Sequence, residues 1–190
     1  MGRPSVKEQL VDRTLGVWLE RGFEGSSVND LVAAAGVPKG SFYNHFPSKE
    51  HFAVEHVHRY LLTLELESLR DSPGPAVEVV RQHFVGQIRA RQEGRTQHGC
   101  LLGTFSNSMT ESHPALREAV NDGFEQWIGA LAEVLTRARD AGEIVSHREP
   151  AELAAALVDA FQGAIARKRA TGSSSPLDVF LDVTLAELTR

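Results

Sequence analysis

Residues 36–46 read Gly-Val-Pro-Lys-Gly-Ser-Phe-Tyr-Asn-His-Phe. Here Lys39, Ser41, Tyr43, Asn44 and His45 bring a cation, two hydroxyls, an amide and an imidazole into one short run, interleaved with Phe42 and Phe46. Such groups can hydrogen-bond to phosphates and base edges or offer a stacking surface, and Gly40 would let the backbone come close. A short amphipathic helix in an unrelated helical domain has the same local pattern. A second place is Cys100, the only cysteine, in HGCLLGTFSNSM at 98–109. His98 and the amides of a helix starting near Gly99 and Cys100 could both lower the thiol pKa, whereas a lone cysteine also packs as a small apolar side chain. It cannot form an internal disulfide. His51, Glu55 and His58 fall at i, i+4 and i+7, a spacing a zinc site could use, but the HExxH order is absent and a solvated helix face accounts for them. No metal is assigned. No GxSxG elbow, Walker loop or GxGxxG fingerprint occurs, so no catalytic residue or cofactor is expected.

The elements that must position these groups follow from apolar spacing. Leu10, Val11, Leu15, Trp18 and Leu19 recur at helical spacing and Gly22 stops the run, predicting a first amphipathic helix. Ser27-Val28-Asn29-Asp30 has the spacing of a capping box, and the Asp30 charge suits a helix N-terminus. A second helix is therefore expected over 28–35, with Val28, Leu31, Val32 and Ala35 on its apolar side. Gly36 ends it, and Lys39 to Phe46 is expected to be helical again. Two short helices about a glycine turn have the form of a helix-turn-helix, whose second helix enters the major groove of DNA. Phe42 and Phe46 would anchor that helix in the core.

Ser48 is the expected N-cap of a fourth helix, running through Val54, Val57, Leu61, Leu62, Leu64 and Leu66 to about Arg70, long enough to bridge two units. The stretch 71–75 breaks it. Further helices are expected at about 76–92, 100–109, 113–141, 149–170 and 176–189, punctuated by Gly94, Pro114, Gly142, Pro150 and the Ser-rich 172–176 linker. No alternating strand pattern of useful length appears. The expected fold is all-α, with about nine helices, divided into a three-helix DNA-binding domain over 1–47 and a larger helical domain over 48–190.

Composition is compatible with this. A chain of 190 residues, 42% hydrophobic, suits one domain or a small domain joined to a larger one. No apolar run approaches the roughly 20 residues of a membrane helix, and MGRPSVKEQL lacks the apolar core of a secretory signal. A cytoplasmic protein with no membrane partner is expected. Residues 1–50 hold six Lys/Arg and six Asp/Glu, so the formal charge of −5 belongs entirely to the remaining chain. Phosphate binding depends on where cations lie, not on their sum.

Residues 27–50, SVNDLVAAAGVPKGSFYNHFPSKE, closely resemble the signature of the TetR family of transcriptional repressors. The resemblance implies that the first three helices bind DNA, the fourth connects, and the remainder holds an effector pocket and the dimer interface. At matching positions it places Ser27, Lys39, Gly40, Ser41, Tyr43, Asn44, His45 and Lys49 at or near DNA. Ser27 stands where threonine is common and keeps the hydroxyl. Val32 stands where alanine is usual, and Pro38 where serine often caps the recognition helix. Proline suits a first helical turn, but base preference could differ. Arg3, in a terminal arm, either touches the minor groove or remains a solvated charge. HGCLLGTFSNSM is similar to a branch in which a cysteine at this place senses electrophiles and oxidants. Phe105, Met109, Phe124, Trp127 and Phe161 are candidate effector-pocket walls, and each also suits a simple core. No charged residue stands out as the partner of an ionic ligand.

Leu153, Leu157, Phe161 and Ile165 form a ridge beside Ala154, Ala155 and Ala164, while Leu177, Phe180, Leu181, Thr184, Leu185 and Leu188 line the last helix. Two such helices from each of two copies would build a four-helix bundle. Burial within one chain is the alternative, against which the resemblance, not the spacing, decides. The function implied is a dimeric, ligand-responsive repressor of a palindromic double-stranded DNA operator, released by a small molecule or a thiol-reactive electrophile. A helical adaptor that has lost DNA binding is the rival reading.

Overall fold

The computed structural model describes residues 5–92 and 99–189; Arg3, Gly94 and His98 lie outside the described residues, as does the side chain of Leu188. In chain order the helices are α1 (Val6–Arg21), α2 (Val28–Ala35), α3 (Lys39–Tyr43), α4 (Lys49–Leu62), α5 (Leu66–Asp71), α6 (Ala76–Gln92), α7 (Leu101–Ser106), α8 (Pro114–Asp140), α9 (Pro150–Thr171) and α10 (Ser175–Val179). A π-helical turn (Phe180–Thr184) then leads directly into α11 (Leu185–Leu188). The all-α expectation holds among the described residues.

Local chemistry sets the helix starts. Ser27 accepts a hydrogen bond from the Asp30 amide (3.2 Å) while the Asp30 carboxylate accepts from the Ser27 amide (2.9 Å), completing the expected capping box. Hydrogen bonds donated to it by the Ser27 hydroxyl and amide hold the Asp30 carboxyl below the ordinary range. Ser5 and Glu8 build a second box at α1, which the spacing arguments above did not include. At α4 the Ser48 hydroxyl accepts from the His51 amide, as an N-cap should.

Two expectations change. The helix expected from Ser48 to about Arg70 breaks after Leu62, where Glu65 adopts a left-handed backbone with φ of 53°. No glycine or proline marks this place, and a positive φ at such a residue costs about 1–2 kcal/mol. Burial of Leu64 and Leu69 offsets it. The second concerns the residues assigned to the dimer interface. Leu153, Leu157, Phe161, Ile165, Leu177, Phe180 and Leu185 are all buried inside a single protomer, and Leu181 and Thr184 are half-buried. Apolar spacing identifies a buried stripe without saying which neighbour buries it. The solvent side of α9 instead carries Asp159, Gly163 and Ala166, and the C-terminal segment exposes Val179 and Val183.

Packing divides the chain into two units. The first extends to Leu61 and includes Cys100–Gly123; the second comprises Leu62–Gly99 and Phe124 onward. The packing units therefore interleave along the chain and do not follow the expected 1–47 and 48–190 boundary. In the first unit Trp18 stacks on Phe23 (5.9 Å between centroids) and meets Phe105 edge-on (5.3 Å). In the second, Phe84, Phe161 and Phe180 lie within 5.1 Å of one another. Aromatic pairs of this kind add about 0.5–1.5 kcal/mol each beyond the area they bury.

Each unit also holds a neutral histidine, His56 buried and His83 half-buried. The Thr14 hydroxyl donates to the Leu10 carbonyl (2.8 Å), so its oxygen accepts from His56 Nε2 at 2.9 Å and the ring carries its proton there. Burial, helped by the nearby Arg59 charge, pushes the His56 pKa down to about 3. In the second unit Trp127 Nε1 donates to His83 Nε2 (2.8 Å), which places the His83 proton on Nδ1. Burial, helped by Arg91, lowers His83 to about 4. Because both folded values lie below the unfolded one, their stabilisation is complete above about pH 6.5 and is lost as pH falls toward 3–4. Urea unfolding should accordingly show stability falling with acidification below pH 6.5, by about 1.4 kcal/mol per pH unit for each histidine. His56→Gln should flatten its share of that slope; an unchanged slope would assign acid sensitivity to other groups.

Candidate nucleic-acid interface

α2 and α3 are separated by Gly36, which ends α2 in the left-handed region (φ 69°, ψ 35°) and so allows a tight reversal without Cβ strain. Arg13 reinforces the turn from α1 by donating to the Ala35 carbonyl (3.3 Å). Pro38 takes the N-cap position of α3 with an extended backbone, and its carbonyl accepts from the Ser41 amide (2.9 Å).

α3 is held from behind. Phe42 and Phe46 are buried, and their rings lie 5.3 and 4.5 Å from Phe52 of α4. Lys39, Gly40, Tyr43, Asn44 and His45 are exposed and Ser41 is half-buried, so the polar candidates occupy the solvent side of α3 and the turn after it. Tyr43 is 54% exposed for so large a ring, while its edge still meets Phe42 at 5.2 Å. A Cβ added at Gly40 would meet nothing within 4 Å, so the surface there is open to an approaching molecule. This arrangement can present one ammonium, hydroxyls, an amide, an imidazole and an aromatic ring to a groove or a phosphate backbone.

Two candidates are also engaged inside the protein. The Ser27 hydroxyl serves its capping box, though the residue is exposed at the start of α2. Lys49 Nζ donates to the carbonyls of Phe23 (2.9 Å) and Ser26 (3.1 Å) and lies 4.1 Å from the Phe23 ring centroid. Burial holds this ammonium below the ordinary lysine range, opposed by Glu24. Lys49 thus clamps the turn between α1 and α2, a role for which its sequence position gives no signal.

The effector candidates do not gather in one unit. Cys100, Phe105 and Met109 belong to the first, and Phe124, Trp127 and Phe161 to the second. Cys100 is buried at the N-cap of α7, its carbonyl accepting from the Thr104 amide (2.9 Å). Phe105 is buried against Trp18 and Phe23. Met109 and Phe124 are half-buried, and Trp127 and Phe161 pack edge-on to each other. The sequence reading missed Arg91, buried in the second unit with its guanidinium 5.2 Å from the Phe161 ring centroid. The available signal was that His83, Gln87 and Arg91 follow at i, i+4 and i+8 on α6. Along α4, His51 and His58 are exposed and Glu55 pairs with Lys7 at 3.6 Å. Among the described residues no group of three His, Cys, Asp or Glu side chains could hold a metal ion, and no helix is long and apolar enough to cross a membrane.

Comparison with known proteins agrees with this layout. Residues 10–55 match the family described as bacterial regulatory proteins, tetR family, and residues 76–184 match the tetracyclin repressor-like C-terminal domain. The HTH-type transcriptional repressor DhaR of Mycobacterium sp. (strain GP1) is 36% identical over 99% of this chain and 94% of its own. The HTH-type transcriptional repressor NemR of Escherichia coli (strain K12) is 27% identical over 91% of this chain and 88% of its own. The crystal structure of the reduced form of E. coli NemR is similar with a TM-score of 0.81, covering 96% of this chain and 94% of that one.

The division between anchoring and presenting side chains makes adjacent residues behave differently. Phe42→Ala should lower unfolding stability by about 3–5 kcal/mol, as truncation of a fully buried aromatic does. Tyr43→Ala should change it by less than about 1 kcal/mol. Equal losses in chemical denaturation would contradict the assignment of the two faces.

Proposed function

The chain belongs to the TetR family of bacterial regulatory proteins, and on that premise we propose that it is a dimeric repressor that binds an inverted-repeat operator and is released by a small-molecule effector. The observation that carries the DNA-binding part is the presentation of Lys39, Gly40, Ser41, Tyr43, Asn44 and His45 on the open side of α3 and its following turn, with Phe42 and Phe46 fixed behind them. Ser27 contributes from the N-terminus of α2, where backbone and side-chain donors favour a phosphate. Lys49 contributes through its clamp on the preceding turn. Residues 1–47 carry DNA binding in this reading, and 48–190 carry effector binding and dimerisation.

A single such unit covers one half-site, so affinity and sequence discrimination require two copies at a fixed spacing. The solvent faces of α9 and the C-terminal segment are the proposed contact, through Gly163, Ala166, Val179 and Val183. Val179 and Val183 stand one turn apart and are 46% and 54% exposed, a pairing that a second copy would cover. The resemblance of residues 98–109 to the electrophile-responsive branch makes Cys100 the proposed thiol sensor. Its burial at the N-cap of α7 implies slow modification that depends on local opening.

Selection from random duplexes near physiological salt should enrich an inverted repeat. No enrichment, even at low salt, would favour the adaptor reading. Tyr43→Ala should weaken binding to the enriched duplex by about tenfold or more, and Lys39→Ala should reduce the salt slope by about one. Both variants should remain dimeric. Val183→Asp should yield monomers in sedimentation and lose tight duplex binding; a persistent dimer would place the interface elsewhere. Cys100→Ser should bind the duplex normally yet resist release by N-ethylmaleimide, whereas an unchanged response would move sensing to a noncovalent pocket.

A further inference from the structure

The first unit contains a set of contacts that a helix-turn-helix does not need for its own closure. α1 ends at Gly22 (φ 72°), whose amide returns to the Trp18 carbonyl at 2.8 Å. The next two amides bond far along the chain. Phe23 N–H donates to the Ser108 hydroxyl oxygen (2.8 Å), and Glu24 N–H donates to the Ser108 carbonyl (3.2 Å). The same Ser108 hydroxyl donates to the Thr104 carbonyl in α7 (2.7 Å). One serine therefore ties two consecutive peptides of the α1–α2 turn to α7.

Neighbouring groups close the connection. The Glu24 carboxylate accepts from the Thr110 hydroxyl (3.3 Å) and lies 3.0 Å from His113 Nε2. The His113 ring meets the Phe23 ring edge-on at 4.5 Å. Lys49 holds the Phe23 carbonyl, so the Phe23–Glu24 peptide is fixed at its C=O by Lys49 and at its N–H by the Ser108 carbonyl. Next to Lys49, Glu50 accepts from the Ala115 and Leu116 amides (3.0 and 3.2 Å) at the start of α8. The approach at Gly22 is close: a Cβ there would fall 2.5 Å from Ser108 Cβ and Oγ. Rigid peptides held at both ends transmit a shift instead of absorbing it.

We propose that Ser108, supported by Thr110 and His113, is a positioning residue for DNA reading: it fixes the α1–α2 turn and couples the placement of α2 and α3 to that of α7. The proposal rests on the DNA-binding reading above. Its thermodynamic content is reciprocal, because coupling that lets α7 alter duplex affinity must also let the duplex alter α7.

The test uses the full chain and the duplex enriched by selection. Backbone hydrogen exchange of the Thr104–Ser106 amides is measured with and without saturating duplex, in the unmodified protein, Ser108→Ala and His113→Asn. Duplex binding should change α7 exchange in the unmodified protein by about threefold or more. Ser108→Ala, which strands the Phe23 amide, should bind duplex about tenfold more weakly and lose the change in α7 exchange at saturation. His113→Asn, which keeps the serine, should show a smaller loss of both and decides the matter if Ser108→Ala fails to fold. Unchanged α7 exchange on duplex binding by the unmodified protein overturns the proposal, as does a Ser108→Ala protein that binds and couples normally. If no duplex is enriched, the DNA-binding reading itself fails and the proposal falls with it, an outcome distinct from binding without coupling.

Discussion

A five-residue helix has no stability of its own, since nucleating a helical turn fixes several residues for a single hydrogen bond. α3 exists because Phe42 and Phe46 are seated against Phe52, which in turn lies 6.0 Å from Trp18. Everything proposed for the DNA-facing surface depends on that aromatic seat. Had α3 been long and self-supporting, its orientation could have varied relative to α1 and α4. Because it is short, packing dictates its orientation, and Lys39, Tyr43, Asn44 and His45 are presented by a surface that cannot rotate without exposing two phenylalanines.

The same cluster explains why residues distant in sequence belong to this unit. Phe105 supplies an edge to both Trp18 and Phe23, so α7 completes the core that supports α1. Lys49 and the Ser108 carbonyl then hold the C=O and the N–H of the Phe23–Glu24 peptide. A buried amide or carbonyl left without a partner costs about 1–3 kcal/mol, so both partners stabilise this turn as well as orient it. The neutral states of His56 and His83 follow from the same accounting of donors. His56 is buried and His83 half-buried, each with one nitrogen matched to a defined partner, and protonation would place an uncompensated charge against aromatic neighbours.

What was legible in the sequence is what short range determines. The Ser27–Asp30 box, Gly36 as a left-handed stop, the Ser48 cap and the buried spacing of Leu10, Trp18 and Leu31 all depend on neighbours within one or two turns. Residues 27–50 carried the family resemblance for the same reason. The break at Thr63–Glu65 was illegible because no breaker residue marks it and its cause is the burial of Leu64. The inward turn of Leu153, Leu157 and Phe161 was illegible because an apolar stripe does not name its partner. The conduct of Lys49 and Ser108 was illegible because their bonds span 26 and 85 residues.

The net charge of −5 also takes on a consistent meaning once the groups are placed. Charges further apart than about 8 Å are largely screened at physiological ionic strength, so net charge alone does not decide what an α3-sized surface binds. Lys39 is the one lysine on α3, Lys49 is held by two carbonyls, and Arg13 and Arg21 are engaged with Ala35 and Asp30. A surface with so few cations gains little from counterion release. In the proposed DNA complex its affinity would come instead from groove contacts made by Ser41, Tyr43, Asn44 and His45, and from duplication of those contacts in a dimer. In that proposal, discrimination between sequences is favoured over simple adhesion to phosphate.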